Sequence, residues 1–326
     1  MTVRVRAFDD LTTRGRIRRL RELALDALDQ YDLEVGRCSF VARAFNTVFR
    51  VDATNGATFA LRVSPSLRIH ADGCELAEAA WLAALRRDAN LAVPQVIRAR
   101  DGSVVVWAST VGVPDARSCV LFEWVRGRRL REGLRADLVR KFGELTAVVH
   151  EHGAGYVSEP PPGALVADRV LYFRVAPRLE KLRPAYGSLF DDAVARAQQA
   201  LDALWQSPPH RAHLLHGDLQ SGNVMVHRHA VTLIDFQDLI WGFDVQDVSI
   251  ALLAVEQHGD TGSWADAFRA GYEAVRPWPD TDPDTDAALR AARHLNILNF
   301  GMSVGGPDVD AFIARRAAAI RKWMAA

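Results

Sequence analysis

LLHGDLQSGNVMVHRHAVTLIDFQD, residues 214–238, is the stretch on which the reading of this chain turns. Leu214 and Leu215 lead into His216-Gly217-Asp218, and four residues separate Asp218 from Asn223. Val224-Met225-Val226 reads as an apolar strand. A short turn follows, and Val231-Thr232-Leu233-Ile234 reads as a second strand ending in Asp235. Paired, the two strands hold Asn223 at the start of one and Asp235 at the end of the other, with Asp218 on the preceding loop. Two carboxylates and an amide gathered this way suit the all-oxygen coordination of hard divalent cations. The carboxylate not used for metal can accept a proton from an attacking hydroxyl. Phosphoryl transfer needs this combination, because it asks the protein for positioning and charge neutralisation and for little covalent chemistry. Asp and Asn are also ordinary turn formers. That plainer reading suits any one of the three better than it suits all three at this spacing.

Working outward, the texture of the chain changes near residues 124–130. Before that point, residues 13–30 have helical spacing and strong helix formers, and 33–63 read as short strands with Asn55-Gly56 as a hairpin turn. A helix is expected over 74–86, and two more strands over Val104–Trp107 and Val120–Val125. After Gly127 the chain turns mainly helical. Leu138, Phe142, Leu145 and Val149 form one stripe, and 189–206 and 284–299 are helical in composition. The Pro-rich runs 158–163 and 276–284 read as surface loops. The expectation is an α+β chain of two parts, residues 1–126 and 127–326, the first small and mixed, the second larger and helical.

His216-Gly217-Asp218-Leu219-x-x-Gly222-Asn223, followed by Ile234-Asp235-Phe236, resembles the signature of the aminoglycoside phosphotransferase family. That family includes antibiotic, choline and homoserine kinases. The resemblance extends more weakly over most of 30–255 and implies a bilobal, protein-kinase-like fold with a small β-sheet N-lobe and a helical C-lobe. It implies Asp218 as catalytic base and Asn223 and Asp235 as magnesium ligands. It places Arg62, in Thr58–Val63, where a basic side chain grips the nucleotide phosphates, and Glu78 on the next helix as its partner, with Glu75 as rival. An Arg can hold phosphate oxygens as a planar fork. The plainer alternatives are an exposed strand arginine and a solvated helix face. There is no G-x-G-x-x-G, so Ser39 and the backbone near Asn46 are the phosphate-loop candidates. Leu121–Val125 followed by Gly127 is similar to the segment joining the lobes, with backbone groups of Glu123 and Val125 on the adenine. Asp247 is expected to brace the loop around His216, and His216 to be a packed residue.

The implied activity is transfer of the γ-phosphoryl group of ATP, or GTP, with Mg2+, to a hydroxyl of a small molecule such as an aminoglycoside, amino-alcohol, homoserine-like compound or sugar. Two alternatives stand beside it: a bacterial Ser/Thr protein kinase of the same fold, and an inactive nucleotide-binding scaffold. Only 11 residues, Phe236 to Gln246, separate Asp235 from Asp247, and none is Ser, Thr or Tyr, which favours the small acceptor.

Composition sets the outer bounds. The chain has 326 residues, with 40 Lys+Arg against 40 Asp+Glu, so no basic excess points to nucleic acid. No apolar run approaches a membrane span and the N-terminus has no apolar segment of signal type, so neither a membrane nor secretion is expected. Three scattered cysteines, Cys38, Cys74 and Cys119, fit a reducing cytoplasm better than a disulfide framework. His213, His216, His227 and His229 make a poor zinc set, and Asp280-x-Asp282-x-Asp284 reads as a polar turn ahead of a helix. Glu256, Asp260 and Asp266 could meet a cationic acceptor or simply face solvent.

Overall fold

The computed structural model describes residues 6–207, 211–259, 261–306 and 308–326. The chain forms two compact units. The first comprises the residues up to Arg68, Ala79–Ala83 and Pro94–Val125, and the second Ile69–Glu78, Ala84–Val93 and Arg126–Ala326.

The first unit opens with helix α1 (Thr13–Leu28), whose start is capped by the Thr12 hydroxyl accepting from the Gly15 N–H at 3.2 Å. Leu20, Leu23, Ala24, Ala27 and Leu28 recur at helical spacing, and that face is buried. Strands β1 (Val35–Arg43), β2 (Thr47–Ala53) and β3 (Thr58–Val63) follow as a meander. Helix α2 (Cys74–Asp88) comes next in the chain, with only Ala79–Ala83 of it in this unit, and then β4 (Val96–Ile97), β5 (Val106–Ala108) and β6 (Arg117–Glu123). Among the described residues these strands form one antiparallel sheet in the order β1-β2-β3-β6-β4, with β5 also on β6. β2 alternates buried Phe49, Val51 and Ala53 with outward Arg50 and Asp52. On its inner side, Phe49 and Val51 belong to one buried cluster with Leu23 and Leu28 of α1, Leu61 of β3 and Leu121 of β6. The Asn55-Gly56 turn is as expected: Gly56 has φ +87° and the Asn55 side chain accepts the Ala57 N–H at 3.0 Å. Strand β6 starts three residues before the expected Val120, because Arg117 already pairs with Ala108 of β5.

Besides its parts of α2, the second unit contains the short strand β7 (Arg128–Arg129), then helix α3 (Ala136–Tyr156), strand β8 (Leu165–Val166), and helices α4 (Arg183–Tyr186) and α5 (Leu189–Gln206). Strands β9 (His213–Leu215), β10 (Val224–His227), β11 (Ala230–Leu233) and β12 (Ile240–Gly242) carry the quoted stretch. Helices α6 (Asp244–Glu256), α7 (Thr261–Glu273), α8 (Pro283–Val304) and α9 (Val309–Met324) complete the unit. β10 lies between β11 and β7, and β12 lies between β9 and β8, the last pair parallel. None of β7, β8 and β12 has enough length to show a period in the sequence. α3 and α7 cross at backbone contact: a Cβ on Gly143 would strike the Phe268 carbonyl, and one on Gly271 the Arg140 carbonyl. Of the expected α3 stripe, Leu138, Phe142 and Val149 are in the interior and Leu145 is half-buried. No helix among the described residues is long and apolar enough to cross a membrane. Cys38, Cys74 and Cys119 are all unbridged and buried.

Candidate active site

The loop before Asp218 is held from behind. Asp247, in the first turn of α6, accepts the backbone N–H of His216 on Oδ2 and that of Gly217 on Oδ1, each at 2.9 Å. Two donors that a tight loop would otherwise leave unpaired are thereby satisfied. Gly217 has φ +79°, and a Cβ there would run into the Asp238 carbonyl oxygen, so glycine is required on both counts. His216 accepts the Asp218 N–H on Nδ1 at 3.2 Å, which leaves Nε2 to donate to the Ile234 carbonyl at 3.2 Å. Its ring lies 4.4 Å from that of Phe236. Both ring nitrogens are engaged inside the loop, so His216 braces it.

Asp218 is buried and its carboxylate is fully defined by its neighbours. Oδ2 accepts from Asn223 Nδ2 at 2.6 Å and from Gln220 Nε2 at 2.8 Å, and Oδ1 forms an ion pair with Arg293 of α8. Burial pushes the Asp218 carboxyl above the usual carboxylate range, with Arg293 restraining it and Asp238 adding to the rise. Asp238 goes the other way. Burial would raise it too, but the hydrogen bond from His70 at 2.6 Å prevails and holds it low. Two neighbouring acids pushed apart in this way can serve different purposes.

Asn223 ends a 3-10 turn over Ser221–Asn223, and its carbonyl accepts the Ile234 N–H at 2.9 Å. The hairpin therefore brings Asn223 next to the residue preceding Asp235. Asp235 itself has φ +66°, ψ +61°. A non-glycine residue in the left-handed region is uncommon and costs about 1–3 kcal/mol, a strain that tends to collect at functional sites.

A model of the phosphotransferase enzyme family matches residues 39–287, more than three-quarters of the chain. The chain belongs to that family. Among solved structures, the amicoumacin kinase hAmiN in complex with AMP-PNP, Ca2+ and Ami is 20% identical, with 96% of each chain covered and a TM-score of 0.76. A microcompartment-associated aminopropanol kinase is 25% identical, covering 92% of this chain and 94% of that one, with a TM-score of 0.72. An aminoglycoside phosphotransferase from Alicyclobacillus acidocaldarius is 14% identical over 99% and 97% of the two chains, with a TM-score of 0.54. No curated protein matches the chain.

The remaining expected residues of this phosphotransferase fall as follows. Arg62 lies on β3 opposite Val48 and Val120, is buried, and sits with its guanidinium 5.0 Å from the Phe122 ring. It is thus not the exposed strand arginine of the plainer reading. Glu78 is buried as well, and so is Glu75, whose Oε2 lies 3.2 Å from the Cys74 thiol; neither is on a solvated helix face. Arg62 belongs to the first unit and Glu78 to the second. Ser39 is in the middle of β1, opposite Arg50, and Asn46 is in the β1–β2 turn, where its carbonyl accepts the Ala44 N–H at 3.2 Å. At Glu123, one of the two residues expected to offer backbone groups to the adenine, the N–H is already taken: it donates to the Gln95 carbonyl at 2.8 Å, because residues beside β4 continue the pairing. Val125 lies just past the end of β6. Glu256 pairs with Arg290, Asp266 is exposed, and Asp260 lies outside the described residues.

Four residues of the phosphotransferase's charged cluster escaped the sequence reading: Arg293, Tyr172, Asp238 and His70. One signal was present. Arg293, Asn296 and Asn299 are spaced three apart on α8 among Leu295, Ile297 and Leu298, and all three are buried. Buried polar side chains at helical spacing imply partners inside the fold, which Arg293 and Asn299 have and the Asn296 amide, among the described residues, lacks. Asn299, for example, accepts the Arg178 N–H at 2.7 Å.

Proposed function

We propose that this phosphotransferase moves the γ-phosphoryl group of ATP to the hydroxyl of a small molecule. The observation that carries the reading is the buried, braced Asp218 carboxylate joined directly to Asn223. In the proposed reaction the acceptor O–H bond breaks and its proton goes to Asp218. The acceptor oxygen bonds to the γ-phosphorus, and the bond from that phosphorus to the β–γ bridging oxygen breaks, so that ADP leaves with the electron pair. Asn223 and Asp235 offer an amide oxygen and a carboxylate, the hard donors Mg2+ takes together with phosphate oxygens and water. With Nδ2 committed to Asp218, the amide oxygen of Asn223 is the end available to a cation. Mg2+ bound there would neutralise charge on the phosphates. Arg62, oriented by Glu78, is assigned to the phosphates, with Ser39 and Asn46 on the phosphate loop and the backbone of Glu123 and Val125 on the base.

The interval after Asp235 supports a small acceptor. Ile240–Gly242 is a strand paired on both sides, and Phe236, Leu239, Trp241 and Phe243 are buried. It has no room for a peptide platform ordered by phosphorylation. The hAmiN structure holds a nucleotide analogue, and the other relatives are named for amino-bearing acceptors, so amino-alcohols and aminoglycosides are the first acceptors to test. Three unbridged cysteines support a cytoplasmic setting. The test is γ-labelled ATP with Mg2+ and a panel of amino-alcohols, aminoglycosides and sugars, with generic protein substrates alongside. Label on a small molecule is expected; label on protein Ser/Thr alone would replace this reading with the protein kinase.

A further inference from the structure

Arg293 has no counterpart in the roles assigned so far. It reaches from α8 to the catalytic loop with its guanidinium buried. One terminal nitrogen donates to the Tyr172 hydroxyl at 3.1 Å and to the Gly217 carbonyl at 3.3 Å, and the other makes the ion pair with Asp218 Oδ1. The fork therefore ties the loop backbone and the carboxylate to a single rigid group.

A count of lone pairs shows what this does to Asp218. A carboxylate has about four acceptor sites, two on each oxygen. Oδ2 already receives Asn223 and Gln220, which fills it. Among the described residues Oδ1 receives Arg293 alone. The one site left for an acceptor hydroxyl is thus the second lone pair of Oδ1, and its direction is set by where Arg293 occupies the first. Without Arg293 the carboxylate has donors on Oδ2 only and can turn about that edge. A misplacement of about 1 Å at a reacting atom can cost about a hundredfold in rate.

We propose that Arg293 is a positioning residue for the phosphoryl transfer: it fixes the rotation of the Asp218 carboxylate so that Oδ1 is the proton-accepting oxygen, and Tyr172 in turn fixes Arg293. The inference rests on Asp218 being the base. Arg293 itself touches neither acceptor nor nucleotide in this scheme. Its effect therefore falls on turnover and leaves nucleotide affinity alone.

The acceptor can be water, the smallest hydroxyl donor, so the assay is phosphate release from Mg·ATP, with AMP-PNP affinity measured by calorimetry. Arg293→Ala is expected to lower turnover about a hundredfold with AMP-PNP affinity unchanged. Millimolar guanidinium should restore at least a tenth of the wild-type rate in a saturable way, while sodium at equal ionic strength does not. Arg293→Lys should recover less than guanidinium does, because a point charge cannot reproduce the fork. Tyr172→Phe, which removes one hydroxyl, should give a smaller loss in the same direction and covers the case in which Arg293→Ala does not fold. Asp218→Asn separates the two levels of the argument. Wild-type hydrolysis in Asp218→Asn removes the base and this inference with it. An inactive Asp218→Asn beside a fully active Tyr172→Phe and Arg293→Lys removes this inference alone, as does a loss in Arg293→Ala that guanidinium leaves unchanged.

Discussion

Residues 214–247 and helix α8 both bring polar side chains into the same buried cluster, yet they do so in different ways. Within the first stretch the contacts that shape the Asp218 loop are near in sequence: Asn223 reaches Asp218 five residues back, and Asp247 reaches His216 and Gly217 about thirty back through one hairpin. Arg293 reaches Asp218 across 75 residues, and His70 reaches Asp238 across 168. The loop carries its geometry in its own spacing. The helix supplies a group whose partner is chosen only by tertiary packing. The loop should therefore fail locally and sharply when altered, whereas the long-range contacts should fail in graded ways.

The sharpest break is expected at Asp218. Asp218→Asn keeps the side-chain shape but cannot accept the acceptor proton, and it turns a donor toward Asn223, Gln220 or Arg293. General-base loss is worth about 10²–10⁴-fold, or about 3–5 kcal/mol of barrier. We expect turnover to fall by that factor while AMP-PNP affinity changes little. Wild-type turnover at saturating substrate would remove Asp218 from the mechanism.

A comparison of two glycines sharpens the same contrast. Gly217 and Gly56 both have φ near +80 to +90°, but a Cβ on Gly217 meets the Asp238 carbonyl and one on Gly56 meets nothing within 4 Å. Gly56→Ala should cost about 1–2 kcal/mol, the left-handed penalty alone. Gly217→Ala should cost about 3–5 kcal/mol, since overpacking adds to that penalty. Urea midpoints at equal m-values decide it; equal losses at the two positions would show that the 217 loop yields at no cost.

These contrasts explain how much the sequence disclosed. The α+β family fold and the joining of Asn223 to Asp218 were legible because turn residues, apolar strands and a fixed spacing encode them together. The meander of β1 to β3 was legible for the same reason, through Asn55-Gly56 and the alternation along β2. Helix α5 matched its expected bounds because its apolar stripe is local to one segment. The pairing of β12 with both β8 and β9 was not legible, since three residues carry no period. The committed N–H of Glu123 was missed because its partner, Gln95, precedes a two-residue strand. Arg293 was hidden by its chemistry: an arginine in a long helix ordinarily faces water.

The third test concerns the charge network under the loop. His150 of α3 is buried against Asp244 at 3.0 Å and Asp247 at 3.4 Å, with the Tyr272 hydroxyl at 2.9 Å. Burial opposes its charge, yet the two carboxylates prevail and lift its pKa to about 9. The unfolded chain binds that proton with a pKa near 6.5. The stabilisation is therefore complete below about pH 6.5 and is lost as the pH rises through about 9, a contribution of at most about 3 kcal/mol. Wild-type protein should lose stability across that window, and His150→Gln should be less stable at pH 6 with a flatter profile above it. Parallel profiles for the two proteins would show that His150 is neutral in the fold.

The smallest effect is expected where α8 begins. Asp282 caps this helix, its carboxylate accepting the Thr285 N–H at 2.8 Å and the Thr285 hydroxyl at 2.6 Å, with Pro283 at the first helical position. Capping and the Pro position are both local signals, and they agree with the reading of the run 280–284 as a turn ahead of a helix. Asp282→Ala should cost about 1 kcal/mol, which for a chain of this size moves Tm by no more than about 3 °C. Because the cap lies three turns from Arg293, phosphate release should stay at the wild-type rate. A loss of turnover out of proportion to that small destabilisation would mean that the start of α8 sets the placement of Arg293. The helix would then act as one lever, and the division between local and long-range contacts would not hold for α8.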